Sequence, residues 1–379
     1  MNENINLDIS KNAMQNYSIH TFTIRKKLLG GSYDLIKLGL DKLSDDKYPE
    51  KACKKKKNMT LTYYFDIARH YGFNDINIAK IRSPKQEKCQ YYLDIKVNPW
   101  KLFHKETYPF LYIATKEDLI KSLKLIESLL VDIELSESLI HDFYLKRVDF
   151  CTNIDLGSSE RTDEYMKLLR KGAYPYKFKR LEEYSEVQKR WIPTKNSFTV
   201  VSKNIQFAVY DKYKQLKEEA HKYTFEEIES AKGKIRIELR LERDVVNRKE
   251  KKYDLDDAFD FVSFASKIAS EDIPRYVKMV YGSGKFVTYK EATSIIQNSK
   301  YRDTTKELLM EILHMVKKTH SLQEFKENTT KKEYSKCMRL FNDLGISPIT
   351  LDKRANSKEF LSLLVYVEAA CCNQPVLYY

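Results

Sequence analysis

The sequence lacks several features that would place it in a known functional class. None of its 6 Cys residues forms a C-x-x-C pair, and no Cys/His group has zinc spacing, so a structural zinc site is excluded. It has no GxxxxGK[ST] loop, which excludes a P-loop ATPase, and no run of 18 apolar residues, which excludes a membrane span. Only 10 Gly and 9 Pro leave little room for flexible linkers. Because no signal peptide is recognisable, we expect a cytoplasmic protein with reduced cysteines and no membrane partner.

The charge balance indicates a polyanionic partner. Lys and Arg number 67 against 54 Asp and Glu, giving a formal net charge of +13 in 379 residues. With 32% charged and 42% hydrophobic residues the chain is globular. The excess of positive charge favours DNA or RNA as partner, although a merely basic soluble protein would have the same composition. The 27 Tyr and 18 Phe give weaker support, since single-stranded nucleic acid stacks on aromatics among basic residues.

Four short segments alternate apolar and polar residues with the period of a half-buried β-strand. In the first, Leu93, Ile95 and Val97 are predicted on one face and acidic, basic and tyrosine residues on the other. A sheet of such strands would bury one face and expose acids, bases and tyrosines on the other. The segments are residues 91–97, 146–151, 205–212 and 234–241.

The order of predicted elements indicates an α+β fold with a central, mainly antiparallel sheet flanked by helices, followed by a smaller helical C-terminal domain. We place the sheet domain, with the catalytic chemistry, at residues 1–252 and the helical domain at 253–379. Helices at 330–343 and 357–370, the second with Ser357 as N-cap, flank a turn at Gly345. They predict either a DNA-binding helix-turn-helix or a plain helical packing domain.

Three carboxylates on the polar strand face predict a metal site. Asp94, Asp149 and Glu238 come from three different segments and share the predicted polar face. Oxygen-only ligands favour Mg²⁺ or Mn²⁺ over zinc. Asp155 lies on the same strand face as Asp149, so either residue could be the ligand. Each acid taken alone is more often a salt-bridged surface residue.

Tyr210 is the predicted nucleophile, because a tyrosine beside such a cation can attack a phosphodiester. Tyr213 and Tyr253 are alternatives. Each tyrosine alone is more often a packing residue. Two basic residues, Lys212 and Arg236, are predicted to favour the phenolate and neutralise the developing phosphate charge. Three further basic residues are predicted to position DNA phosphates: Lys96, Arg147 and Arg240.

The same segments resemble the replication initiators of filamentous phages, the gene II/gene X protein family. More loosely they resemble the initiation factors of rolling-circle plasmids and the relaxases of conjugative elements. The similar pieces lie within residues 89–245: 92–96 followed by Asn98-Pro99, then 146–149, 207–212 and 236–240. Asp94 stands where the family often has Glu. The plasmid branch tends to place its tyrosine after the Glu238-type strand, where this chain has none before Tyr253.

The resemblance implies a rolling-circle replication initiator. Such a protein is a site-specific, metal-dependent DNA endonuclease and strand transferase, which nicks the double-stranded origin and stays linked to the 5′ phosphate through a tyrosine. The family's tyrosine falls on Tyr210. Expected partners are single- and double-stranded DNA, with a host helicase and polymerase as candidates. The two-histidine metal site common among DNA-nicking initiators is absent.

Two rival readings belong to other functional classes. One is a non-catalytic, sequence-specific DNA-binding protein that retains the initiator fold, with its acids making only salt bridges. The other is an RNA- or protein-binding scaffold. Nicking of DNA separates the first rival from an enzyme, and a salt titration with DNA and RNA addresses the second.

Overall fold

The computed structural model describes residues 17–43, 51–55, 60–65, 72–82, 89–103, 114–133, 137–185, 189–194, 196–353 and 355–371. The chain divides into two compact units. The first unit comprises Tyr17–Phe150 and Arg240–Ala269, and the second comprises Cys151–Leu239 and the residues from Ser270 onward. Three elements have residues in both units, because a unit boundary falls inside each of them. They are β6 (Tyr144–Asp155), β12 (Lys234–Glu242) and α8 (Ala258–Tyr281).

The first unit holds a sheet in the strand order β2-β3-β4-β5-β1-β6, ending on the last residues of β12. The pairs β2/β3, β3/β4, β4/β5 and β5/β1 are antiparallel. One face of this sheet is buried because apolar residues alternate along its strands. In β5 the apolar residues Leu93, Ile95 and Val97 are all buried. The other elements are β1 (Ser18–Leu28), α1 (Gly30–Leu43), β2 (Lys51–Lys55), β3 (Thr60–Tyr64), β4 (Asp75–Ile81), β5 (Gln90–Val97), α2 (Pro99–Phe103), α3 (Lys116–Asp132) and α7 (Arg243–Tyr253).

Helix α3 shows why the sequence folds as it does in this unit. Thr115 and Asp118 form a capping box, in which each side chain accepts a hydrogen bond from the other residue's backbone N–H. Leu119, Leu123 and Ile126 follow at helical spacing and are buried. The cap therefore fixes the start of the helix, and the apolar stripe fixes the face that packs on the core.

The second unit continues with β6 and β12 and adds β11, β10 and β7 in that order. The pairs β10/β11 and β10/β7 are antiparallel. Gly233, at φ +78°, makes the turn into β12, and a Cβ there would lie 2.9 Å from the Ser158 nitrogen. The elements up to β12 are α4 (Ser159–Leu169), β7 (Lys179–Arg180), β8 (Glu182–Ser185), β9 (Arg190–Pro193), β10 (Ser197–Val201), β11 (Ile205–Asp211), α5 (Lys212–Glu218) and α6 (Phe225–Ser230).

The C-terminal half of the second unit is mostly helical and packs around aromatic residues. Tyr165 of α4 contacts the rings of Phe286, Phe360 and Tyr366 at centroid distances of 5.8, 5.1 and 5.7 Å. The elements here are β13 (Phe286–Val287), α9 (Tyr289–Gln297), α10 (Asp303–Thr319), α11 (Leu322–Glu327), α12 (Lys331–Asp343), β14 (Glu359–Phe360) and α13 (Leu363–Cys371).

The predicted fold class is confirmed: the chain is mixed α and β with a large antiparallel sheet. Two further sequence patterns agree with the structure: residues 198–201 and 205–210 predict a hairpin, which is β10/β11, and Ser158 followed by acids predicts a capped helix, which is α4. The two units do not follow the predicted boundary at residues 252/253, which falls at the end of α7, so that functional division stays a prediction. No helix in the described residues is long and apolar enough to cross a membrane.

The predicted helix at 357–370 is wrong over its first six residues. Ser357 donates its backbone N–H to Glu164 instead of capping a helix, and α13 begins at Leu363. Residues 344–362, which include β14, separate α12 from α13. A helix-turn-helix needs a turn of about three or four residues, so these two helices do not form one.

Candidate active site

The sheet of the second unit carries a polar cavity of about 330 Å³. The hairpin β10/β11 supplies half of the residues that line it, and the lining is polar, with four carboxylates among its side chains. Tyr210 lies opposite Ser197 in the hairpin, and Ala208 opposite Thr199. The lining residues are Glu183, Thr194, Asn196, Ser197, Thr199, Gln206, Ala208, Tyr210, Asp211, Gln215, Glu218 and Glu238.

Strand alternation brings Tyr210 to Glu238. Gln206, Ala208 and Tyr210 line the cavity together, as their spacing predicts. The Tyr210 hydroxyl donates a hydrogen bond to Glu238 Oε1 at 2.6 Å, from β11 to β12. Burial, and then the Glu238 charge, raise the pKa of Tyr210 well above its usual value. The tyrosine is therefore protonated at neutral pH and already bonded to a group that can accept its proton.

Two buried cations lie near this pair. Lys212 and Arg236 are each 3% exposed. Burial, with the neighbouring Arg236 charge, lowers the pKa of Lys212 to about 7, while Glu238 acts to raise it. Lys212 donates to Gln215 Oε1 at 2.7 Å, and Arg236 Nε donates to Asn153 Oδ1 at 2.8 Å. The sequence predicts Lys212 as the last residue of this strand, but β11 ends at Asp211 and Lys212 is the first residue of α5.

The alternative tyrosines are engaged elsewhere. Tyr213 donates to Glu229 Oε1 at 2.7 Å and packs on the small apolar cluster around Leu216. Tyr253, in the first unit, accepts from Lys252 and contacts the ring of Phe264 at 5.1 Å. Neither lines the cavity that holds Tyr210, within the part of the chain described.

Asp94 is a buried ion-pair residue rather than a solvated one. It is 3% exposed. Arg25, its partner across the β1/β5 register, donates to both of its oxygens at 2.6 and 2.7 Å. Lys146 adds a third contact, to Oδ2 at 2.7 Å. This bidentate geometry, with a second cation, satisfies the carboxylate.

Asp149 is held in the same way. Its Oδ1 accepts from Arg147 Nε at 2.8 Å and from Arg240 Nε at 3.1 Å, and its Oδ2 accepts from Thr21 at 2.7 Å. Burial alone would raise the pKa of Asp149, but hydrogen bonding to Arg147 and the charges of Arg147 and Arg240 outweigh it, so that the pKa lies below its usual value. Asp155, the alternative, is exposed and accepts the Gly157 backbone N–H at 2.8 Å.

The three residues predicted to position DNA belong to one electrostatic group in the first unit. Arg147 and Arg240 both bond Asp149. Burial, then the positive charges of Arg147 and Arg240, lower the pKa of Lys96, although Asp149 opposes them. All three side chains are partly exposed.

The predicted metal ligands are not brought together within either unit. Asp94 and Asp149 belong to the first unit, and Glu238 to the second. In the residues described, no group of three or more His, Cys, Asp or Glu side chains is placed to hold a metal ion. The oxygens of Asp94 and Asp149 are already taken by cations, so these two residues do not fit Mg²⁺ or Mn²⁺ in this arrangement.

The sequence reading missed four partners that define these environments: Thr21 and Arg25 on β1, Asn153 on β6 and Gln215 on α5. Pairing β1 with β5 would have placed Arg25 opposite Asp94, since both segments alternate clearly. Nothing local in the sequence indicates Asn153 or Gln215.

Comparison with known proteins adds little. No family model matches the chain, and no curated protein matches it. A solved rolling circle replication initiator protein from Geobacillus stearothermophilus aligns over 77% of this chain and 90% of its own, with 10% identity and a TM-score of 0.29. The di-domain ARO/CYC BexL of the BE-7585A biosynthetic pathway aligns over 59% and 75%, with 8% identity and a TM-score of 0.17. At these TM-scores neither likeness carries an argument.

Proposed function

We propose that this chain is a DNA-nicking strand transferase of the rolling-circle replication type, with Tyr210 as nucleophile. The observation that carries the proposal is the 2.6 Å hydrogen bond from the Tyr210 hydroxyl to Glu238 Oε1 in a polar cavity. A weakly acidic phenol needs a base within hydrogen-bond reach before it can attack, and Glu238 occupies that position. The basic composition and the four strand segments that resemble phage initiators point to DNA as the substrate.

In this proposal, Glu238 takes the Tyr210 proton as the phenolic oxygen attacks the scissile phosphorus. The Oη–P bond forms as the P–O3′ bond breaks. The chain is then linked to the 5′ phosphate, and the leaving oxygen takes a proton from water to become a 3′ hydroxyl. Attack by a 3′ hydroxyl on the phosphotyrosine reverses the step, returns the proton to Tyr210 and rejoins a strand.

Lys212 and Arg236 supply positive charge to the transferring phosphate. Both are withdrawn from water, where a charge interaction is stronger than at the surface. Arg236 is held by Asn153 and Lys212 by Gln215, so both cations are positioned before substrate binds. Such fixed charges stabilise the extra negative charge of the transition state more than that of the bound phosphodiester.

In this proposal Glu238 is the one predicted metal ligand that remains a candidate for binding a divalent cation. Since Asp94 and Asp149 do not fit a divalent cation in this arrangement, no catalytic step is assigned to Mg²⁺ or Mn²⁺. When bound, such an ion would supply Lewis-acid stabilisation of the phosphate.

The test is covalent capture. Full-length protein is incubated with a labelled single-stranded copy of the origin from its own replicon, with and without Mg²⁺ or Mn²⁺, and separated under denaturing conditions. A labelled band at the protein's mass that alkaline phosphatase does not remove, with the label mapped to a tyrosine peptide, supports the proposal. Binding of the origin without cleavage or adduct contradicts it.

A second candidate is favoured by one specific observation. The complete ion pairing of Asp94 and Asp149 is what a non-catalytic DNA-binding protein with this fold would show. In that case the basic residues around Asp149 would bind phosphates and Tyr210 would only pack. The capture experiment separates the two candidates, because only the enzyme forms an adduct.

A further inference from the structure

The C-terminal part of the second unit contains a second, larger cavity of about 760 Å³. Helix α9 begins at it, helix α10 ends at it, and residues 350–353 close one side. Its lining contains five lysines and two histidines but a single carboxylate. The charged and aromatic lining residues are Lys171, Tyr289, Lys290, His314, Lys317, Lys318, His320, Asp352 and Lys353.

Among the described residues, most of the positive charge of this cavity has no acidic partner. The one acid, Asp352, lies 3.6 Å from the Lys171 ammonium group, which also donates to the Thr350 carbonyl. Within the described residues, Lys290, Lys318 and Lys353 have no carboxylate within ion-pair distance. Several lysines around one concavity repel each other, so an anionic ligand would relieve an unfavourable arrangement.

Helix stability explains only part of this charge. Lys317 and Lys318 occupy the last turn of α10, where cations interact favourably with the helix dipole. Lys290 is the second residue of α9, where the same dipole disfavours a cation. Lys171 is half-buried, which is unfavourable for an ammonium group, and burial lowers its pKa. Lys290 therefore fits a ligand-binding role better than a structural one, whereas Lys171 is already held by Asp352 and Thr350.

Tyr289 adds a flat apolar surface to the basic lining. The Lys317 ammonium group lies 3.8 Å from the centre of its ring. An aromatic ring among cations is the arrangement on which bases stack while their phosphates are neutralised. The cavity volume lies in the range of small-ligand sites, roughly 300–1,000 Å³. It would admit one or two nucleotides but not a duplex.

We propose that this cavity binds a nucleotide of single-stranded DNA, with its phosphate on Lys290, Lys318 and Lys353 and its base against Tyr289. The choice of DNA rests on the proposed function, while the nucleotide chemistry rests on the cavity. The site would hold the displaced strand apart from the Tyr210 cavity. It would add affinity for single strands without contributing to cleavage.

Two measurements on the full-length chain test the proposal. In the first, a fluorescent oligothymidine of about 12 nucleotides is titrated at several salt concentrations. The variant Lys290→Ala/Lys318→Ala/Lys353→Ala should bind roughly tenfold more weakly, and the salt slope should fall by about 0.7 for each lost phosphate contact. The control Lys332→Ala/Lys336→Ala/Lys358→Ala removes the same charge from exposed lysines outside the cavity. It should change both values much less.

In the second, an oligonucleotide carrying 5-iododeoxyuridine is photo-crosslinked and the attachment is mapped by peptide mass spectrometry. Attachment at Tyr289 or a cavity histidine supports the site, and attachment only elsewhere overturns it. Equal weakening in both triple variants also overturns it. If thymidine monophosphate binds the wild-type protein but not the cavity variant, and the oligonucleotide does not crosslink to the cavity, the ligand is a free nucleotide and the strand-binding inference is wrong. Adduct formation at Tyr210 is scored separately in the cavity variant, so loss of the proposed function is distinguishable from failure of this site.

Discussion

Lys212 and Arg236 are two neighbouring cations, each 3% exposed, beside the Tyr210–Glu238 hydrogen bond. Burial and the Arg236 charge lower the pKa of Lys212 from 10.5 to about 7. Between these values the unfolded chain holds a proton on Lys212 that the folded chain has released. By linkage, this residue makes stability rise with pH from about 7 towards 10.5, and it is most destabilising below pH 7.

Lys212→Met should therefore stabilise the protein most below pH 7, and its advantage should shrink as pH rises through that window. The lost hydrogen bond to Gln215 costs about 1 kcal/mol at every pH, so it does not change the trend. Urea unfolding of both proteins from pH 6 to 10 measures the difference. A difference that does not vary with pH would show that Lys212 keeps its proton in the fold.

Nicking should lose efficiency as pH rises through about 7, because the ammonium form of Lys212 carries the charge assigned to it. Lys212→Arg keeps a charge at all these pH values, and its profile should lack the fall near pH 7. The readout is kcat/KM for oligonucleotide cleavage, which reports the free enzyme. An unchanged profile in Lys212→Arg would assign the fall to another group.

Tyr210→Phe removes one hydroxyl and should abolish the covalent protein–DNA adduct while leaving DNA affinity within about twofold, because the hydroxyl acts only in the chemical step. Tyr213→Phe and Tyr253→Phe are matched controls whose hydroxyls bond Glu229 and Lys252. Both should keep the adduct. An adduct that survives in Tyr210→Phe and disappears in one control would move the nucleophile to that tyrosine.

Glu238→Gln should reduce nicking by at least about a hundredfold with little effect on DNA binding, since an amide cannot accept the Tyr210 proton. A metal titration of Glu238→Asp separates two roles for this residue, proton acceptor and metal ligand. If Glu238 is only the proton acceptor, the shorter side chain of Glu238→Asp should leave the Mg²⁺ or Mn²⁺ concentration at half-maximal rate unchanged. A shift of that concentration by tenfold or more would instead make Glu238 a metal ligand.

Asp94→Asn should destabilise the fold by roughly 3 kcal/mol, because it leaves Arg25 and Lys146 without their shared buried carboxylate. Asp142→Asn breaks the exposed pair with Lys26 and should cost less than about 1 kcal/mol. Thermal unfolding with and without Mg²⁺ completes the test. A wild-type melting temperature that rises with Mg²⁺, in contrast to that of Asp94→Asn, would restore Asp94 as a metal ligand.

The sequence predicts four strands of the sheet, β5, β6, β11 and β12, because their signals are local. Alternation over β5 and β12 is strict, and the Ser158 cap and the β10/β11 hairpin need only adjacent residues. The sequence predicts too early a start for the 357–370 helix, because Ser357 is a residue type that commonly caps helices. Its backbone instead bonds Glu164, a residue 193 positions away in sequence that no local pattern reveals.

The candidate site was only partly predictable, for the same reason. Alternation correctly places Tyr210 and Glu238 where they can meet, since both lie on well-defined strands. It could not show that Asp94 and Asp149 are buried against arginines, because that depends on which strands are neighbours. The sequence therefore predicts the face of the strand on which a polar side chain lies, but it does not predict which residues that side chain contacts.

The chain allows Tyr210 very little backbone freedom. It pairs with Ser197 on one side, and the next residue, Asp211, already caps α5 by accepting the Lys214 backbone N–H, with no loop between strand and helix. If Tyr210 is the nucleophile proposed above, its backbone cannot carry it from one reaction partner to another. In a reaction that cuts one strand and later joins another, the DNA ends would have to exchange places at a stationary tyrosine, so turnover would be paced by rearrangement of the nucleic acid.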